Sequence, residues 1–249
     1  MDRMIYTAAA GAARTLDAQA VMSNNLANIN TAGFREQLAA NRAVPIVGEH
    51  MMASRVSTVA STPGSHMRQG IMEETGHALD MAIRGPGWFA VQTEQGEAYT
   101  RAGEFAVNAQ NQLVMHHNGL PVLSADGAPI ELPERGAITI TSDGTVSALG
   151  AGENPRDVQM VAQLKLVNPP AADLTRGDDG LFRLTQGGAA PADPTVTVVS
   201  GFVEKSNVNA AQAMVGMIAN ARHFEMQMKV IRDASTNEER ANSILSSNA

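Results

Sequence analysis

The C-terminal segment places apolar residues at Val208, Ala211, Val215 and Ile218, then at Ala221, Phe224, Met228 and Ile231, with no proline among them. Steps of three and four line side chains along one face of an α-helix, and this stripe runs for about seven turns. So long and narrow a stripe resembles a coiled-coil seam more than the broad face of a helix on a globular core. Such a helix needs a partner. The opposite end of the chain offers one: from Asp2 to about Asn28 there is no proline, alanine is dense, and Ile5, Ala9, Ala12, Leu16 and Ala20 repeat at similar steps. Ser206 or Asn207 is the expected N-cap of the second helix, and Gly33 the expected stop signal after the first.

Charge separates these ends from the middle. Residues 1–40 and 204–249 are each neutral, so residues 41–203 carry the whole net charge of -7. That centre reads as β structure: Ile83, Trp88–Val91, Phe105–Val107, Leu113–Met115, Ile138–Ile140 and Thr195–Val199 are short and β-rich. Asn118-Gly119, Asp126-Gly127 and Asp143-Gly144 supply tight turns between them. Residues 36–75, with Pro45, Pro63, Gly64 and Gly70, read as an extended connector with some strand content. The predicted class is α+β, with terminal helices at 1–35 and 204–249 pairing as an antiparallel coiled coil, the connector at 36–75, and an all-β domain at 76–203.

Several chemistries are excluded or disfavoured. The absence of cysteine removes disulfides, thiolate metal sites and cysteine nucleophiles, and suits an oxidising compartment. Net acidity and 4% aromatic content argue against a nucleic-acid binder. No run approaches the length of a membrane helix, and the start Met1–Tyr6 lacks the pattern of a cleaved secretory signal. Gly85-Pro86-Gly87-Trp88-Phe89-Ala90 fits a dinucleotide-binding pattern, but a strand rather than a helix should follow it, so it reads as a glycine turn. On a strand His116 and His117 would point to opposite faces and could not share a metal; just before Asn118-Gly119 they read as flanking an exposed hairpin turn. The acidic pairs Glu73-Glu74, Asp178-Asp179 and Glu238-Glu239 read as solvated surface. No catalytic, cofactor or metal residue is expected. Ser23–Asn28, with three asparagines, reads either as a fraying helix end or as amides bonding across a helix pair.

Those asparagines open a wider resemblance. Ser23-Asn24-Asn25-Leu26-Ala27-Asn28, followed by Thr31-Ala32-Gly33-Phe34-Arg35, resembles the N-terminal signature of the bacterial flagellar rod and hook family. Leu79–Val91 and Tyr99-Thr100-Arg101-Ala102-Gly103-Glu104-Phe105 are similar to the opening of its central domain. Glu204-Lys205-Ser206-Asn207-Val208 is similar to its closing motif. Met1–Ala8, Arg42–Pro45 and Arg222–Ile231 resemble its proximal-rod members most; the distal rod protein is the alternative, ahead of a ligand-binding or enzymatic β domain with helical extensions. The resemblance implies a structural subunit of the periplasm-spanning shaft that carries torque to the hook. It implies export by the flagellar type III apparatus without signal cleavage. Its implied partners are other rod subunits and further copies of itself, with neither nucleic acid nor membrane insertion. The expected assembly contacts are Leu16, Asn25 and Leu26 in the first helix, and Val208, Val215, Ile218, Phe224, Met228 and Ile231 in the last.

Overall fold

The computed structural model describes residues 2–39, 41–45, 56–60, 64–133, 137–149 and 159–247, in two units. The first comprises residues 1–27, 37–65 and 209–249. It contains helix α1 (Asp2–Ala27), the short strands β1 (Gln37–Leu38), β2 (Asn41–Pro45), β3 (Val56–Ala60) and β4 (Gly64–Ser65), and the long helix α2 (Ala210–Ser247). Strands β2 and β3 pair with each other, and β1 pairs with β4, both antiparallel.

The two helices pack on each other. Asn220 Nδ2 on α2 donates to Thr15 O at 2.7 Å and Gln19 Oε1 at 3.1 Å on α1. A Cβ on Gly11 would overlap the Gln227 amide, and one on Gly216 would touch the end of Met22. The sheltered side of α1 carries Ile5, Ala8, Ala12, Thr15, Gln19, Met22 and Leu26, whereas Ala9, Leu16 and Ala20 are exposed. The phase therefore differs from the expected one. In an alanine-rich helix small apolar residues occupy most faces, so spacing alone does not fix which one turns inward; here the Asn220 amide selects the Thr15–Gln19 side.

On α2 Ala213, Met217, Asn220, Phe224, Gln227, Ile231 and Ala234 form a sheltered line at alternating steps of four and three, with Gly216 and Met228 sheltered beside it. The expected stripe joined parts of two faces. Of its members Ala211, Val215, Ile218 and Ala221 are exposed, Phe224, Met228 and Ile231 are sheltered, and Val208 is buried ahead of the helix. The N-cap is Asn209, whose Oδ1 accepts from Gln212 N at 3.1 Å. Asn207 is unavailable for capping because its amide is engaged elsewhere, as described below.

The second unit comprises residues 28–36 and 66–208. Its strands are β5 (Met72–Glu74), β6 (Met81–Arg84), β7 (Trp88–Thr93), β8 (Gly96–Thr100), β9 (Phe105–Val107), β10 (Leu113–Met115), β11 (Ala137–Ile140), β12 (Thr145–Leu149), β13 (Gln159–Gln163), β14 (Leu166–Val167), β15 (Leu174–Arg176), β16 (Phe182–Leu184), β17 (Thr197–Ser200) and β18 (Phe202–Glu204). A five-stranded sheet runs in the order β14-β7-β8-β16-β15 and a three-stranded one in the order β11-β12-β13. The pairs β9–β10, β6–β17 and β5–β18 complete the unit, all antiparallel.

Strand β7 explains the layering. Its continuous apolar run Trp88-Phe89-Ala90-Val91 is buried on both faces, as such runs are when a sheet is covered on each side. Phe89 and Val91 enter the main core, where Phe89 meets Phe105 edge-on with ring centroids 5.1 Å apart. Trp88 and Ala90 enter a second cluster with Tyr99, Phe182 and Val167. Fully burying each large side chain contributes about 1.5–3 kcal/mol.

Tyr99 in that second cluster offers a test of burial. Its hydroxyl accepts from Ala190 N at 2.7 Å. Burial pushes the phenol up from 10.0 to about 12, the Ala190 N–H opposing and the Glu97 charge adding. A raised folded-state pKa means that this stabilisation is complete below pH 10 and is lost as pH rises through about 12. In a Tyr6→Phe variant, where Tyr99 is the only phenol, tyrosinate absorbance should appear near pH 12 when folded and near pH 10 in denaturant. Ionisation near pH 10 with the fold intact would show that water reaches the hydroxyl.

Candidate functional site

The distant motifs of the sequence meet at one place in the second unit. Glu204, the last residue of β18, is 0% exposed, Arg35 is 1% exposed and Arg101 is 4% exposed. Arg35 Nη1 lies 2.6 Å from Glu204 Oε1, and Arg101 Nη1 lies 3.0 Å from Glu204 Oε2. Gly70 N donates to Glu204 Oε1 at 2.8 Å, so both carboxylate oxygens are occupied. Arg101 also donates from Nη2 to Gly85 O at 2.6 Å. The Arg35 contact is short yet off the axis of a hydrogen bond, so it is held by charge rather than by directed donation.

Two guanidiniums thus share one carboxylate, leaving a positive excess in a dry setting. Burial pulls the Arg101 guanidinium down to about 10, a net result in which the Glu204 charge opposes the lowering and the Arg35 charge adds to it. Trp88 answers part of the excess: Arg35 and Arg101 lie 5.8 Å and 5.6 Å from its ring centroid, where the π-face attracts cations. Next to them Arg176 stacks 4.4 Å from the Phe34 ring and donates to Arg35 O at 2.6 Å. Burial also holds Arg176 below its usual range.

The backbone is drawn in as tightly. Gly33 N donates to Glu204 O at 2.7 Å with φ +68, and a Cβ there would overlap the Arg101–Ala102 peptide. Gly33 is therefore required by close approach in the left-handed region, and not as a helix stop. Asn207 Oδ1 accepts from Glu36 N at 2.7 Å, while its Nδ2 donates to His66 O and Arg68 O, each at 2.8 Å.

In the glycine turn before β7, Gly85 and Gly87 have φ +82 and +136, and a strand follows, as the sequence pattern predicts. A groove of about 600 Å³ elsewhere in this unit is lined by His77, Leu79, Asp80, Glu104, Phe105 and His116. Among the described residues no group of histidines and carboxylates is arranged to hold a metal ion.

The expected contact residues fall in several places. Leu16, Val215 and Ile218 are exposed at 55%, 67% and 57%, while Leu26, Phe224, Met228 and Ile231 are half-buried. Val208 is buried in the second unit, before α2 begins. Asn25 is buried and clamps a backbone: its Oδ1 accepts from Gln37 N and its Nδ2 donates to Gln37 O, both at 2.8 Å. For Asn25 this is neither a frayed helix end nor an amide bonded across the helix pair. Arg35, Arg101, Glu204 and Asn207 were absent from the expected set, although each sits inside one of the motifs quoted above. Their signal was a charged or amide residue embedded in each of three widely separated motifs.

The family comparisons map onto this same junction. A model described as flagella basal body rod protein matches residues 5–35, ending on Arg35. The flagellar hook protein FlgE/F/G D1 domain matches residues 82–148, which include Arg101. The flagellar basal body rod FlgEFG protein C-terminal model matches residues 199–244, which include Glu204. The flagellar basal-body rod protein FlgF of Salmonella typhimurium is 48% identical over 253 residues, and that of Escherichia coli 49%, each alignment covering 99% of both chains. The chain belongs to the flagellar basal-body rod protein family. FlgG of Bacillus subtilis, 29% identical over 252 residues, is a more distant relative. Like the rod proteins it matches, the chain is a structural subunit of the basal-body rod and not an enzyme. The rod-family junction thus ties together residues from all three matched segments.

Proposed function

We propose that this rod subunit polymerises through its terminal helices, which pair as an antiparallel coiled coil, in the proximal part of the shaft that spans the periplasm and carries torque to the hook. The full-length likeness to FlgF proteins carries this reading. The helix contacts support the pairing: Gly11 meets Gln227, Thr15 and Gln19 meet Asn220, and Met22 meets Gly216, so numbers rise along α1 as they fall along α2. The exposed apolar residues Leu16, Met214, Val215 and Ile218 then serve contacts with neighbouring rod subunits, of this chain or its relatives. Passage through the flagellar type III apparatus without signal cleavage belongs to the same reading.

The pairing is testable because the chain has no cysteine of its own. Thiols introduced as Thr15→Cys and Asn220→Cys should be joined within one subunit by a short bifunctional reagent, in isolated rods as well as in the free protein. Thr15→Cys with Thr236→Cys should not be joined. Crosslinking of the second pair in place of the first would exclude the antiparallel register.

A further inference from the structure

We infer that the junction around Glu204 is a mechanical clamp, which makes tension between the two ends of the β unit pass through a short parallel pair of segments and spares the sheets. This rests on the reading of the chain as a torque-carrying rod subunit, and goes beyond it by naming the element that resists the load.

The incoming segment 33–36 lies beside the outgoing segment 204–207. Gly33 N bonds to Glu204 O at 2.7 Å, Asn207 N bonds to Phe34 O at 3.3 Å, and Glu36 N bonds to Asn207 Oδ1 at 2.7 Å. Numbers rise together along both segments, so the two run in the same direction. The upstream end of one and the downstream end of the other are therefore at opposite ends of the pair. Tension applied upstream of Gly33 and downstream of Asn207 slides the segments lengthwise. In that direction all the bonds are strained together, whereas peeling would break them one at a time. The buried Arg35–Glu204 contact lies across the sliding plane.

The outgoing segment is also held on its other side. Lys205 N bonds to Ile71 O, and Gly70 N to the Glu204 carboxylate, each at 2.8 Å. A Cβ on Gly70 would run into Lys205 O, so the two backbones are in direct contact. Asn207 reaches His66 O and Arg68 O, and Arg101 ties Glu204 to Gly85 O in the turn that precedes β7. The outgoing segment is thus fixed on both flanks, and its one acidic side chain is bound by two cations that water does not reach.

The test is a single-molecule pulling measurement on the full chain, with thiol handles in two arrangements. Asn30→Cys with Ala211→Cys loads the junction lengthwise; Asp126→Cys with Gln186→Cys, on exposed turns, loads the sheets and leaves the junction out of the direct path. Each variant is compared with the unsubstituted chain bearing the same handles, so any contribution from the helices is common to both. Glu204→Gln should speed unfolding at a given load by about tenfold or more along the first axis, and by no more than a few-fold along the second. Asn207→Ala, which leaves the buried charges in place, should act in the same direction and decides the matter if Glu204→Gln does not fold. Equal acceleration along both axes would make the cluster a source of general stability only and overturn the clamp. No acceleration along the first axis would overturn it too. Neither result would touch the family assignment or the pairing of the helices, which the crosslinking experiment reads separately.

Discussion

Replacing Glu204 with alanine should destabilise the β unit by about 3–5 kcal/mol, the usual cost of leaving buried charge uncompensated. The carboxylate is fully buried and faces two guanidiniums and the Gly70 N–H. Removing it strands both cations beside each other in a place water does not reach. Since a whole domain is stable by only about 5–15 kcal/mol, the variant should unfold at much lower urea concentration. Trp88, the single tryptophan, lies 5.8 Å and 5.6 Å from the two guanidinium carbons, so its fluorescence follows this very cluster. Removing the charge on both sides should cost less. Arg35→Met combined with Glu204→Met should recover part of the loss, because stranded charge and not missing attraction dominates the single change. Recovery stays incomplete because Arg101 still lacks its counter-ion. A loss below about 1 kcal/mol for Glu204→Ala, the range of solvent-exposed pairs, would mean that water screens the cluster.

The sequence was most informative where local physics decides structure. Helix α1 ends at Ala27 against an expected end near Asn28, and β7, β9 and β10 fall on the apolar runs assigned to them. The turns at Gly119, Gly127 and Gly144 adopt positive φ, as their Asn-Gly and Asp-Gly pairs require. Strand β8, Gly96-Glu97-Ala98-Tyr99-Thr100, was not legible, because its glycine and glutamate disguise a segment whose last three residues are buried by β7 and β16. Strands β15, β16 and β18 share that character: short, mixed in polarity, and strands only because a neighbour pairs with them. The junction was hidden for a different reason. Arg35 and Glu204 are 169 positions apart in the numbering, and nothing local shows that an arginine beside Phe34 is destined for burial. Periodicity also favours apolar residues, so it passed over Asn220 and Gln19, the polar pair that sets the phase of the two helices.

That phase makes Ile218 the position where assembly and folding separate most cleanly. Ile218 is 57% exposed on α2, on the side away from Asn220 and Gln227, with Val215 67% exposed one turn before it. Ile218→Asp should therefore change the stability of the isolated chain by no more than about 0.5 kcal/mol, as exposed substitutions usually do. In a shaft where that face meets a neighbouring helix, the same carboxylate would be desolvated without a partner, at a cost of several kcal/mol in every subunit. The expected outcome is a normal melting curve and normal Trp88 fluorescence, together with loss of motility and of assembled rods in a flagellated host lacking its own copy. Phe224→Asp supplies the contrast, since Phe224 lies half-buried on the sheltered side and its replacement should loosen the helix pair before any assembly begins. Motility preserved in Ile218→Asp would remove this face from the assembly contacts. Loss of motility accompanied by a lowered melting temperature would reassign Ile218 to the folding of the subunit itself. Only the combination of an intact monomer and a missing shaft fits a helix whose second apolar face is reserved for its neighbours.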